Sequence, residues 1–319
     1  MIIDANQATP NGTDEFAYLP GQVDTLNSRS ERSPITVPIV ARVAVDTSAG
    51  SISALRFGTD APAVVLLHGA GLNAHTWDTT LLALGLPALA IDLPGHGDSA
   101  WRSDADYSPA RMGPAVADAI ASFVTAPIVL VGHSLGGMTA AWIAAHRPEL
   151  VSKLVLVDIT PGIEGGPGPA QLRAFYEKAD FPSRDAVVDW AQSFGMGGSR
   201  ADTERGVFFN TRVRDDGRVI WKHHFAELAR LILPGADADD TATDVNTPAL
   251  RLDTGWSDLA AVSAPITLVR GMTGYITDAA LAAFRERVRD AAVVVIDSGH
   301  NPQETHPTEL ADIIREVAA

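Results

Sequence analysis

From Ala41 onward the chain alternates short apolar, β-branched runs with longer stretches of helical periodicity, and this alternation constrains the fold more than any other feature. The runs Val64 to His68, Ala88 to Asp92, Ile128 to Gly132, Leu154 to Asp158, Ile266 to Arg270 and Val293 to Asp297 are almost continuously apolar. A strand wetted on one face alternates polar and apolar residues, whereas one buried on both faces does not. The six runs therefore predict a mostly parallel sheet covered by helices on both sides. Two earlier runs, Ala41 to Thr47 and Ile52 to Gly58, predict a hairpin leading into that sheet and bring the count to eight strands. Each of the six buried runs ends in a polar or glycine-rich turn. In an open α/β sheet, ligands bind beyond the carboxyl ends of the strands, so those turns are where function is sought.

The rhythm fails once, across residues 161–264, where helical patterns occur without a convincing parallel strand. This segment is expected to be an inserted helical cap, entered through the Gly- and Pro-dense stretch Pro161 to Pro169. Candidate helices within it run near Ala170 to Ala179, Asp185 to Phe194, Ala201 to Asn210 and His223 to Leu233. Residues 37–160 and 265–319 then form the α/β core. Residues 1–36, rich in Asn, Ser, Thr, Pro and Gly, are expected to be an arm wrapped over the surface or partly disordered, without a chemical role.

At 319 residues the chain is long enough for one large core with an insertion. It has no cysteine, which excludes disulfides, thiolate metal sites and a cysteine nucleophile. A net charge of −15 argues against nucleic acid or an anionic membrane as partner. The densest acidic stretch, Asp237 to Asp244, is expected to be a solvated loop. No apolar run is long enough to span a bilayer, and Met1 to Pro10 lacks the apolar core of a secretory signal, so a cytoplasmic location is the expectation. No cluster implies a metal or an organic cofactor.

The strongest chemical signal is Gly132-His133-Ser134-Leu135-Gly136-Gly137, set between the strand run Ile128 to Val131 and the helical pattern Met138 to His146. Such a strand-turn-helix places a serine in a strained turn, and glycines at 132 and 136 leave room for strand and helix to approach. The hydroxyl then stands at a helix N-terminus, where amides can stabilise negative charge. Serine is a weak nucleophile and needs a base. His300, in Asp297-Ser298-Gly299-His300 just past the last strand, is the candidate. Of the other histidines, His68, His96, His133 and His146 sit at strand ends, turns or helix ends, and His223, His224 and His306 are expected on the surface.

From His68 to its end the chain resembles the α/β-hydrolase superfamily. The motifs that carry the likeness are His68-Gly69-Ala70-Gly71, Asp92-Leu93-Pro94-Gly95-His96-Gly97-Asp98-Ser99, the Ser134 turn and Ser298-Gly299-His300, in the family's order. The resemblance implies an oxyanion hole built from the backbone N–H groups of Ala70 and Leu135. It makes Asp92 and Asp98 structural turn residues. In most of that superfamily an Asp follows the strand that here reads Ile266 to Arg270, but Gly271-Met272-Thr273-Gly274-Tyr275 offers no carboxylate. Asp278, the nearest, is better placed as a helix-start acid. Asp158, ending the strand after the nucleophile's, is similar to the acid of some dehalogenase and lactonase branches. It is the expected third member, holding the imidazole tautomer.

Substrate choice is expected to fall to the cap and to the loop carrying Leu72, His75 and Trp77. The cap aromatics Phe175, Tyr176, Phe181, Trp190, Phe194, Phe208 and Phe209 belong mostly to its own core, with a few facing the site. A small neutral or hydrophobic ester or lactone is the expected substrate. Two alternatives stand beside it: carbon–carbon bond hydrolysis or cofactor-free perhydrolysis at the same site, and a non-catalytic ligand-binding protein on a hydrolase scaffold.

Overall fold

The computed structural model describes residues 3–4, 14–29, 34–162, 169–232 and 255–319. The expected strands are present as β2 (Val40–Thr47), β3 (Gly50–Phe57), β4 (Val64–Leu67), β5 (Ala88–Ile91), β6 (Ile128–His133), β7 (Val151–Val157), β11 (Ile266–Gly271) and β12 (Ala292–Ile296). A ninth, the two-residue β1 (Ile3–Asp4), runs antiparallel along β2 at one edge, with Ile3 opposite Ala44. The sheet order is β1-β2-β3-β5-β4-β6-β7-β11-β12. β2 and β3 form the antiparallel hairpin, β3 joins β5 antiparallel, and every pairing from β5 to β12 is parallel.

The period of two along each strand divides the core into two layers. Val65, Leu67, Leu89, Ile91, Leu130, Leu154, Leu156 and Leu268 face one side. There they meet α3 (Pro109–Phe123), α4 (Leu135–His146), α9 (Gly255–Ala261) and α10 (Asp278–Arg287). Val64, Leu66, Ala88, Ala90, Val129, Val131, Val155, Val157 and Val269 face the other side. That side is covered by α1 (Leu19–Arg29), α2 (Asp78–Leu84) and α11 (Pro307–Ala318). With both faces sealed, each fully buried Val or Leu contributes roughly 1.5–3 kcal/mol, which is why β4, β5 and β6 carry no polar residue before their carboxyl ends.

The expectation of an irregular arm is corrected at α1, which drives Leu19, Val23 and Leu26 into the core. Its hydrophobic spacing of three and four residues is helical, but Pro20 and Gly21 at its start obscure it.

Helices dominate the inserted segment, as α5 (Pro169–Tyr176), α6 (Arg184–Ser193), α7 (Arg200–Asn210) and α8 (Phe225–Ile232). It also holds a small antiparallel sheet, β8 (Asp180–Phe181), β9 (Thr211–Val213) and β10 (Val219–Trp221), in the order β8-β10-β9. Phe175, Tyr176, Phe181, Val187, Val188 and Trp221 form its core, apart from the two layers of the main sheet. Most of the Gly- and Pro-dense entrance and the acidic stretch Asp237 to Asp244 lie outside the described residues. Among the described residues no helix is long and apolar enough to cross a membrane.

Candidate active site

The turn after β6 has the expected strain. Ser134 sits at φ 50° and ψ −120°, a region that a side-chain-bearing residue occupies at a cost of about 1–3 kcal/mol. Close packing holds it there: a Cβ on Gly132 would collide with Gly136 and Gly137, and one on Gly136 with the Leu67 and His68 carbonyls. The strand β6 and the start of α4 thus approach at a distance only glycine permits. The Ser134 amide is also tied to the Val157 carbonyl at the end of β7 (3.2 Å).

One strand over, Asp158 follows β7 and is completely buried, itself at positive φ (46°). Its Oδ1 accepts the Gly271 N–H (3.0 Å), and its Oδ2 accepts the Tyr275 N–H (2.8 Å). Oδ2 also lies 2.7 Å from His300 Nδ1. The turn after β11, which carries no acid, therefore cradles one from the neighbouring strand. Gly274 makes this possible, because a Cβ there would overlap the Asp158 carboxylate. A carboxylate only accepts, so Nδ1 of His300 donates, and a neutral imidazole keeps its lone pair on Nε2.

Two neighbours fix the histidine. The Tyr275 ring stacks on it, with centroids 3.6 Å apart and planes 8° from parallel. His133 Nε2 donates to the His300 carbonyl (2.8 Å), and the two imidazole centroids are 4.6 Å apart. Burial, with His300 nearby, pushes His133 well below the usual histidine range, so it remains a neutral donor. Among the described residues no hydrogen bond joins the Ser134 hydroxyl to His300. Both stand on loops at the carboxyl edge of the sheet, and such contacts commonly tighten only when substrate is bound.

Ala70 is exposed on the loop after β4, and Leu135 opens α4. Neither N–H is donated to another described residue, whereas the next amide, Gly71, is taken by His96 Nε2 (3.1 Å). Asp278 lies away from this constellation. It opens α10, pairs with Arg270 (2.8 Å) and has a side chain 94% exposed.

Asp92 and Asp98 are turn residues, as expected: Asp92 receives the Ala74 and Asp98 amides and pairs with Arg42 (2.8 Å), and Asp98 pairs with Lys222 (2.6 Å). Two expectations are corrected. His75 and Trp77 are buried, and His75 lies between Glu15 (3.0 Å) and Asp78 (2.9 Å), so of those three side chains Leu72 alone is left partly open. His223 is not on the surface but 1% exposed; its sequence context, Lys222-His223-His224, is polar and hides the aromatic cluster it joins. His224 is half-buried and stacks on Trp101. Tyr275, which no sequence motif singles out, is a further member of the site. The missing carboxylate in its turn was the signal that the turn had another task.

A sequence model of the alpha/beta hydrolase family matches residues 64–313, which span the whole of this arrangement. The chain belongs to the alpha/beta hydrolase family. Among the relatives of this alpha/beta hydrolase is esterase Rv0045c of Mycobacterium tuberculosis, 38% identical, with 96% of each chain covered. Lipase LipV of the same organism is 29% identical over 82% of this chain and 95% of its own. A solved structure of the M. tuberculosis esterase Rv0045c superimposes with a TM-score of 0.74 at 37% identity, over 96% of this chain and 99% of that one.

Proposed function

We propose that this alpha/beta hydrolase cleaves a carboxylic ester or lactone of a small, neutral or hydrophobic substrate. Ser134 Oγ attacks the carbonyl carbon while His300 Nε2 takes its proton. The Ala70 and Leu135 amides receive the charge that develops on the carbonyl oxygen. The imidazolium then gives the proton to the leaving alkoxide as the acyl–oxygen bond breaks, and water, deprotonated by His300, releases the acid from Ser134. Asp158 holds Nδ1–H in place and offsets the positive charge on the ring.

The observation that carries this reading is the 2.7 Å contact between the buried Asp158 and His300, beside a serine held at positive φ. The esterase and lipase relatives support ester cleavage in particular. A serine at the turn disfavours the ester-forming aspartate chemistry of dehalogenases. Labelling with a fluorophosphonate and turnover of p-nitrophenyl esters test the proposal: both are expected in the native protein, and both are expected to be lost in Ser134→Ala. Label retained in that variant, or native protein that turns over vinylogous diketones but no ester, would overturn it.

A further inference from the structure

Two polar groups of the inserted segment converge on the loop beside Ala70 without a hydrogen-bond partner among the described residues. Tyr176 ends α5, and its hydroxyl lies so close to Gly71 that a Cβ there would come within 2.7 Å of Oη. The same Cβ would lie 3.9 Å from His223 Cε1. The two rings meet edge to face, with centroids 5.3 Å apart. Tyr176 is 8% exposed and His223 1%. No hydrogen bond reaches the Tyr176 hydroxyl among the described residues. His223 Nδ1 accepts the Ala226 N–H (3.2 Å), which puts the ring proton on Nε2, and that N–H likewise has no described acceptor.

Packing does not account for either group. Tyr176 touches Phe175, Trp221 and Phe225 edge-on, and phenylalanine would make the same contacts without stranding a hydroxyl. Neither donor atom is sealed from solvent, so both stand ready beside the loop for an acceptor brought from outside the protein. Gly71 cannot serve through its N–H, which His96 holds from the other side.

The pair suits an uncharged acceptor. Burial pushes the Tyr176 phenol up, and burial with His68 nearby holds His223 at about 3, so both donors are neutral across the working range. The ammonium of Lys222, next in the chain, is engaged by Asp98. A carboxylate brought here would find Lys222 already paired and so no countercharge from it for its lost water.

Resting on the ester-hydrolase reading above, we propose that Tyr176 and His223 form a neutral donor pair for a second oxygen of the substrate. The site is thus built for acyl esters that carry a keto or ether oxygen beyond the scissile carbonyl. A pocket built to hydrogen-bond an oxygen rejects the analogue lacking it, because its own donors are then left unpaired.

The test compares p-nitrophenyl hexanoate with its γ-keto and δ-keto derivatives on the native protein, Tyr176→Phe and His223→Phe. The native protein is expected to favour at least one keto ester by about tenfold or more in kcat/KM. Tyr176→Phe, which keeps the ring packing, is expected to lose that preference, its keto esters falling to the rate of hexanoate. Equal rates on all three esters in the native protein would overturn the proposal, as would an equal loss on all three in Tyr176→Phe. Fluorophosphonate labelling of Ser134 separates the two levels: native protein and Tyr176→Phe are expected to label alike. Failure of the native protein to label would remove the serine-hydrolase reading itself.

Discussion

The phenol ring of Tyr275 lies flat against the imidazole of His300, 3.6 Å away, while the amide of the same residue holds the Asp158 carboxylate that His300 touches. One residue thus fixes both the plane of the base and the position of its partner. The backbone contact survives any substitution except proline, so side-chain variants isolate the stacking. Tyr275→Phe is expected to keep kcat within about threefold of native, and Tyr275→Leu to lose about 10- to 100-fold in kcat with KM little changed, as a misplaced catalytic group does. Ester kinetics of the two variants check this. A leucine variant as fast as phenylalanine would reduce the ring to surface cover.

Asp158 and Asp278 make a sharper comparison. The first is buried against His300, and the second is open to solvent beside Arg270. Asp158→Asn would present an amide that can donate toward Nδ1 and favour the wrong tautomer, so kcat is expected to fall by about 10²- to 10⁴-fold. Asp278→Asn removes an exposed pair worth at most about 1 kcal/mol and is expected to leave activity within about twofold. Gly274→Ala reports on the same cradle from the other side, since its methyl group would overlap the carboxylate. Its activity is expected to fall with that of Asp158→Asn, measured on the same ester.

These contrasts also mark how far the sequence could be read. The central strands were legible because burial on both faces strips polar residues from each run, as in Ile128-Val129-Leu130-Val131. The Ser134 turn was legible because its glycines answer a local steric demand. The strands β8, β9 and β10 were not, because two or three residues are too few to show a period. His223 was misplaced for a related reason: its burial comes from Tyr176, Trp221 and Phe225 folding around it, and only Trp221 and Phe225 are near it in sequence. Glu15 gave no signal either, since its partners lie 27 and 60 residues away.

His133 shows a neighbour of the nucleophile serving the loop of the base. Its Nε2–H is the donor to the His300 carbonyl, across 2.8 Å. His133→Leu would leave that carbonyl without its donor at a half-buried position, which costs about 1 kcal/mol. The urea midpoint is expected to fall accordingly, and ester turnover to fall with it as the His300 loop loses its anchor. Unchanged midpoint and turnover would mean that the stacking of Tyr275 alone holds the loop.

The arm is bound to the core through Glu15, whose carboxylate meets both the Arg42 guanidinium and His75 Nε2 (3.0 Å). Burial alone would raise its pKa, but the hydrogen bond from His75 and the Arg42 charge outweigh it and hold the group at about 2, below its ordinary 4.5. An acid depressed in the folded state contributes stability that is complete above its ordinary value and is lost as pH falls toward the folded one. Glu15→Gln is therefore expected to be less stable than native protein by about 1–3 kcal/mol at neutral pH. The lower end is favoured because Asp92 and Asp98 still neutralise Arg42. The difference should shrink between the ordinary value of 4.5 and the folded value of about 2, as native Glu15 itself takes up a proton. Urea midpoints of both proteins at about pH 7 and about pH 3 check this. A gap that stays constant across that interval would show that the carboxylate's charge is not what ties the arm down.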